Sequence, residues 1–570
     1  ARPEASATPT TPTTPASPTT GDEAALLAAM KQELARSMTR LRLKGYEAPY
    51  FISYTLRDMA SREVAGKSGA VFARGDDRRR VVFVEVRVGS YDFDNSSVDE
   101  RDAAMDDMAI GMQEVDRDAP LEDNAQALRG ALWLLTDQKF KQALAAYARK
   151  RARRVTQPDS DEERVPSFSR EKPQRATNET APPFIADFAT MERAVRGAGL
   201  ELRAAPVLDG EVKVSADRQT RIYVNSEGAE VIEHRALYSA HVTAQARAKD
   251  GMLLNQERDF YGRTPGELPT PEKLREVAAE VARDLARLST APAVDPYTGP
   301  AILMEEAAGV FFHETIGHRL EGERQSNEQE GRTFKGQIGK PVLPDFLTVV
   351  DDPTMQRSPA GAPTLNGYYR FDDEGVAARP VTLIDRGVLR DYLKSRTPAQ
   401  GSPRSNGHGR AEGTNDPIGR MANLVVRSNR QVPLARLKDQ LLEEVRRQGK
   451  PYGLIIRDIV GGSTNTANVG SQTFRGQPTM VYRVDAKTGE ETLVRGVEMV
   501  GTPLSSVAKI VATSDTVGVF NGYCGAESGL VPVSTVAPAV LFTEIELQRA
   551  QKSSERPPLL PPPWADNAAK

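Results

Sequence analysis

Residues 307–322 read AAGVFFHETIGHRLEG and hold the densest chemistry in the chain. An apolar approach of Val310, Phe311 and Phe312 leads to His313, Glu314 and His318. Two imidazoles with an adjacent carboxylate are the parts of a helical zinc site, in which the rings hold the ion and the Glu faces its water. The spacing is unusual. In the common H-E-x-x-H pattern the rings are four residues apart, about 40° around a helix; here they are five apart, about 140°. A regular helix would point them away from each other. The sequence therefore demands a distorted helix or no shared site. One wide turn with i→i+5 bonds would restore a common face, and Gly317 eases local distortion. The competing reading is a helix with one buried and one exposed His.

Catalytic zinc usually keeps three protein ligands and one position for water. The chain offers five His and one Cys, so the candidates are few. Glu321 and Glu323 are close in sequence; Cys524, in the Gly-rich turn NGYCGAESG, is far away. A lone Cys is more often an inert buried hydrophobe than a ligand, so the residues alone leave this choice open. His408 and Arg410 lie in the Gly-rich stretch 401–413 and read either as a mobile substrate loop with an oxyanion donor or as ordinary surface. His234 and His241 fall in strand-like sequence at odd spacing, so they point to opposite faces.

Several elements must position these groups. Leu27, Met30, Leu34, Met38 and Leu41 recur at helical spacing, with Gly45 as the stop. Strand-like alternation follows at 50–56 and 81–88. A second helix is expected over about 119–152, with Leu121, Leu128, Leu132, Leu135 and Phe140 on one side. It ends in Arg149, Lys150, Arg151, Arg153 and Arg154, followed at once by acidic residues. That run reads as a solvated helix end with cations where the dipole favours them, over a nucleic-acid patch. Thr270-Pro271 opens a further helix to about Leu288. The chain divides into a Pro/Thr-rich tether (1–21), an N-terminal α/β region (22–155), a polar linker or loop (156–183), a central β-rich region with flanking helices (184–294), a β-rich C-terminal domain (295–550) and a Pro-rich tail (551–570). The fold class is α+β.

Composition excludes other classes. The 570 residues are 39% hydrophobic and 27% charged, with 75 Lys and Arg against 78 Asp and Glu. This balance argues against a general nucleic-acid binder. One Cys excludes an internal disulfide framework and a Cys-rich zinc ribbon. No apolar run approaches the roughly 18 residues of a membrane helix, so no membrane contact is expected. The first residue is Ala. Removal of a secretory leader fits that start, as does a shortened chain. Export to the periplasm or beyond is expected, with the cytoplasm as the alternative.

Residues 296–545 resemble the TldD/PmbA family of metallopeptidases, the modulator of DNA gyrase family. The resemblance rests on His313-Glu314-Thr315-Ile316-Gly317-His318 with Leu320-Glu321-Gly322, on Val350-Asp351-Asp352, and on Asp372-Asp373-Glu374-Gly375 before a strand-turn-strand at 381–392. Arg420-Met421-Ala422-Asn423 and Cys524-Gly525 followed by Val531-Pro532-Val533 complete it, in family order. The resemblance implies a C-terminal zinc metallopeptidase domain of the catalytic, H-E-x-x-x-H-bearing type. It implies His313, His318 and Cys524 as Zn2+ ligands and Glu314 as catalytic base. It further implies unfolded proteins or peptides as substrates, bound as an added β-strand; the Gly-flanked segments 453–460 and 461–462 are candidates in this sequence for the edge. The implied assembly is a homodimer, or a heterodimer with a family member lacking the motif. A non-catalytic zinc-binding subunit or scaffold of such an assembly is the alternative.

Overall fold

The computed structural model describes residues 20–96, 117–156, 165–327, 330–359, 361, 363–468, 472–550 and 563–564. The expected tether up to residue 19, residues 157–164 of the linker and nearly all of the tail lie outside these. Helices make up 25% and strands 42%, an α+β fold with a β-rich C-terminal part. No helix among the described residues is long and apolar enough to cross a membrane.

The N-terminal half contains α1 (Thr20–Arg40), β1 (Pro49–Lys67), β2 (Ala70–Val88), α2 (Ala125–Thr156), β3 (Arg175–Ala176), α3 (Phe188–Glu201), β4 (Val207–Asn225), β5 (Glu230–Arg247), β6 (Leu253–Gly262) and α4 (Pro271–Thr290). The six strands form one sheet in the order β2-β1-β4-β5-β3, with β6 on β5. The stretches expected as separate regions, 22–155 and 184–294, thus share a sheet: β1 pairs antiparallel with β4 over Ser53↔Asn225 to Lys67↔Glu211. The period-2 pattern explains how the sheet is covered. Even positions such as Ile52, Tyr54, Leu56, Val212, Val214, Ile222, Ala240 and Val242 pack under the four helices. α4 buries Leu274, Val277, Val281, Leu285 and Leu288 on one stripe, and Thr270 Oγ1 accepts from Lys273 N at 3.2 Å as its N-cap. Each such aliphatic side chain contributes roughly 1.5–3 kcal/mol on burial. On α2, Leu128, Leu132, Leu135 and Phe140 are buried as the pattern predicts, whereas Leu121 precedes the helix and is exposed. The basic end of α2 is engaged within the protein: Arg151 pairs with Glu47 and Lys150 Nζ lies 3.0 Å from Ser96 Oγ.

Odd positions on the same strands face the C-terminal domain through a buried charge network. Arg57 and Arg221 reach Asp373 at 3.1 and 2.7 Å, and Arg221 and Arg235 share Glu233. That domain contains β7 (Tyr297–Leu303), α5 (Glu305–Thr315), α6 (Glu323–Ser326), β8 (Leu347–Asp351), β9 (Val381–Asp385), β10 (Val388–Leu389), β11 (Gly409–Arg410), β12 (Ile418–Gly419), β13 (Asn423–Ser428), β14 (Gln431–Val432) and α7 (Leu434–Arg447). Then follow β15 (Tyr452–Thr464), β16 (Phe474–Asp485), β17 (Glu491–Val494), β18 (Val497–Gly501), α8 (Pro503–Val507), β19 (Ile510–Ala526) and β20 (Gly529–Arg549). The large sheet runs β10-β9-β8-β13-β20-β18-β16-β15-β7, and β7 pairs again with β20, closing the last five strands into a ring. α5 packs against β15, β16, β19 and β20, with Phe311 edge-on to Phe474 and Phe542. β15 is paired on both sides only over 454–456; among the described residues its ladder from Asp458 to Thr464 is with β16 alone.

Candidate metal centre

α5 carries His313 and Glu314 and then stops. Ile316 N still donates to Phe312 O at 3.0 Å, after which Arg319 N donates to Ile316 O at 3.1 Å in a 3-10 turn over Gly317–Leu320. The expected distortion is therefore present, as a break from α to 3-10 geometry in place of a wide i→i+5 turn. Gly317 is required for room. A Cβ there would lie 2.0 Å from the Sδ of buried Met421, and Gly317 is not among the glycines with positive φ. The break brings the His313 and His318 rings to a centroid separation of 5.0 Å at 89°.

Cys524 completes the cluster from β19, whose hairpin with β20 sets it opposite Val531. Its Sγ lies 3.4 Å from His318 Nε2. One donor atom from each of His313, His318 and Cys524 lies within 4.8 Å of the others, and all three residues are buried. Glu314 stands beside them against β15, where a Cβ on Gly462 would fall 2.6 Å from its Cγ. Arg319 secures this junction: its Nη1 donates to Glu314 O and Thr464 Oγ1, each at 2.9 Å, and Nη2 donates to Asn465 O.

The electrostatics couple the His318 and Cys524 side chains. Burial opposes charge on His318, but Cys524 and Glu321 outweigh it and push the imidazole up to about 10. Burial likewise raises the Cys524 thiol, yet His318 and His313 pull it well below its usual range, towards thiolate. Burial pushes Glu314 up, against the lowering effect of both His. The buried Nδ1 of His313 has no hydrogen-bond partner. Two buried imidazoles and a thiolate-prone Cys whose donor atoms converge are a donor set that zinc accepts.

The other candidates fall elsewhere. Glu321 sits behind His318, its carboxylate 3.4 Å from Nδ1 and 2.6 Å from Arg324 Nε. Glu323 accepts from Ser395 Oγ and Gly419 N, and burial pushes it up to about 7. His408 and Arg410 are not in an open substrate loop. His408 is fully enclosed between Asn406 and Asp351, and Arg410 donates to Met421 O and Pro532 O. Glycine content suggested mobility there; distant backbone acceptors fix the stretch instead. His234 is buried against Thr220 and Glu23. His241 approaches Glu257 and Asp259, but both its ring nitrogens are engaged, at 2.7 Å from Asp259 Oδ1 and 2.9 Å from Ser239 Oγ. The role of Arg319 was missed from sequence; its adjacency to His318 was the one available signal.

Residues 182–289 match the PmbA/TldA metallopeptidase central domain and residues 296–549 the C-terminal domain of the same family. A metalloprotease of Methanocaldococcus jannaschii is 33% identical over 234 residues, 41% of this chain and 47% of that protein. A metalloprotease of Archaeoglobus fulgidus is 32% identical over 267 residues, 47% of this chain and 57% of that protein. The chain thus spans about half the length of these relatives. A zinc metalloprotease TldD homolog of Saccharolobus solfataricus is 25% identical, covering 57% of this chain and 68% of that protein. The crystal structure of TldE from Thermococcus kodakarensis superposes with a TM-score of 0.59 at 14% identity, over 91% of this chain and 100% of the other, a likeness of fold. With two family domains side by side and the His–His–Cys cluster inside the second, this chain belongs to the PmbA/TldD metallopeptidase family.

Proposed function

We propose that the chain is a zinc metallopeptidase of the catalytic TldD-like type, with His313, His318 and Cys524 as ligands and Glu314 as general base. The observation that carries this reading is the convergence of three buried donors beside a carboxylate. A thiolate with two imidazoles suits zinc, and three protein ligands leave a place for water, the pattern of catalytic sites. The Saccharolobus relative is named a zinc metalloprotease, which supports the choice of ion. When bound, zinc supplies a Lewis acid and lowers the pKa of water to about 7.

The chain's own residues then have distinct tasks. Glu314 takes a proton from the attacking water and returns it to the leaving amine; burial raises its carboxyl, which suits a group that must both accept and release a proton. Arg319 fixes the carbonyl end of the helix turn that carries Glu314. Gly462 lets β15 pass directly over the Glu314 side chain. A peptide paired along the one-sided stretch 458–464 would run beside Glu314, and main-chain pairing of this kind selects extended chains with loose sequence preference. Residues 454–456 are already paired on both sides, so the edge starts later than the sequence suggested. Assembly as a homodimer, or with a family member lacking the motif, belongs to the same proposal.

The test compares zinc content and cleavage of an unfolded polypeptide by wild type, Glu314→Gln and Cys524→Ala. Glu314→Gln keeps zinc and loses cleavage, whereas Cys524→Ala loses both. Zinc binding with cleavage untouched by Glu314→Gln would leave a zinc-holding subunit instead. Equal cleavage of a protein in folded and unfolded form would remove the strand-pairing mode.

A further inference from the structure

The side of His318 facing away from Cys524 is occupied by a completely buried carboxylate, Glu321. Its two oxygens lie 3.4 Å from His318 Nδ1, one accepts from Arg324 Nε at 2.6 Å, and the other is ion-paired, without a hydrogen bond, to Arg420 Nε at 3.3 Å. Arg420 is also completely buried. Its Nη2 donates to the main-chain carbonyl of Cys524 at 2.6 Å, and its Nη1 donates to Ser528 Oγ and Gly529 O at 2.8 and 3.0 Å. One guanidinium therefore touches both the carboxylate behind one ligand and the backbone of another ligand 206 residues away.

We propose that Glu321 and Arg420 are positioning residues of the metal centre: Glu321 orients His318, and Arg420 locks Glu321 to the Cys524 turn. This rests on the zinc reading above. A carboxylate facing Nδ1 keeps the proton on that nitrogen, which leaves the lone pair on Nε2, the atom 3.4 Å from Cys524 Sγ. It also raises the basicity of the ring as a ligand. Arginine suits the brace because its planar fork can serve a carboxylate and two backbone carbonyls at once, which an ammonium on a flexible stem does not do in fixed geometry. Arg324 also pairs with Glu321, but its single charge is shared with Glu330 and Glu527. What Arg420 adds is the link to Cys524. Arg324 reaches the same turn only through the Glu527 side chain, three residues past Cys524, whereas Arg420 holds the Cys524 carbonyl itself.

The experiment uses the full chain. Zinc affinity is measured by competition with a chromophoric chelator, and Co2+ is substituted to read the thiolate-to-cobalt and ligand-field bands. Glu321→Gln and Arg420→Lys are compared with wild type, with Glu330→Gln as a control that loosens Arg324 without touching His318. Glu321→Gln weakens zinc binding about 10–100-fold, Arg420→Lys about 10-fold, and both shift the cobalt bands; Glu330→Gln changes neither. If one variant fails to fold, the other decides. Zinc affinities within twofold of wild type and unshifted cobalt bands for Glu321→Gln and Arg420→Lys overturn the assignment while leaving the zinc site intact. Failure of wild type itself to take up zinc, or undiminished uptake by Cys524→Ala, overturns the zinc reading and this inference with it.

Discussion

Gly317→Ala separates two explanations of why the helix breaks before His318. The added Cβ would lie 2.0 Å from Met421 Sδ, 2.9 Å from Cε and 3.4 Å from Cγ. Such atoms rest about 3.5–4.0 Å apart, so the sulfur would have to retreat by roughly 1.5–2 Å. Met421 is fully buried, and its carbonyl holds Arg410. Being buried, its flexible end can retreat only by repacking its neighbours, so part of the strain passes to the turn that carries His318. Overpacking of this kind costs about 1–3 kcal/mol, or a few degrees in the unfolding midpoint of a domain this size, and zinc uptake weakens with it. Met421→Ala alone leaves a cavity and costs about 2–5 kcal/mol. In the double variant the cavity accepts the new methyl, so the two costs fall short of adding by about 1–3 kcal/mol. Denaturant unfolding of the four metal-free chains, with zinc titration of each, measures this coupling. Strictly additive costs would refute the steric argument and assign Gly317 a backbone role.

Other outcomes follow from the same geometry. Gly462→Ala drives a methyl into Glu314 while leaving the three ligands alone, so it retains zinc but loses cleavage on the order of 10–100-fold; zinc loss in step with activity would contradict it. Burial raises Asp373, but Arg57, Arg221 and Arg235 outweigh burial and hold it well below the ordinary carboxylate range. A depressed folded value gives stability that is full above the unfolded value of about 4 and is lost as pH falls towards the folded one. Asp373→Asn therefore costs roughly 3–5 kcal/mol near neutrality and flattens the stability curve between pH 5 and 3; an unchanged slope there would count against the network. Chelation abolishes cleavage and removes about 2.7 kcal/mol of stability relative to zinc held at a hundred times its dissociation constant, read as a lower unfolding midpoint, and restored zinc reverses both effects.

The local elements were readable because their patterns are local. The stripe of α4, its Thr270 cap and the even-numbered faces of β1 and β4 follow from spacing alone. The union of β1 with β4 was not readable, because it pairs residues some 150 positions apart across two helices. The metal motif announced itself through His313, Glu314 and His318, and the family resemblance supplied Cys524 where residue types left Glu321 and Glu323 equally open. Register separates them in space: the β19–β20 hairpin places Cys524 at His318 Nε2, while Glu321 occupies the other side of the ring. Gly317 was correctly marked as special for a reason that lies on another segment, at Met421. His408 and Arg410 misled because glycine-rich sequence signals freedom only when nothing distant anchors it; Asp351, Met421 and Pro532 do so here.

X-ray absorption at the zinc edge of the metal-loaded chain tests the central claim most directly. The account predicts one sulfur scatterer at about 2.3 Å and two imidazole nitrogens at about 2.0–2.1 Å, with the sulfur lost in Cys524→Ala. A zinc shell without sulfur, or a spectrum unchanged by Cys524→Ala, would contradict it.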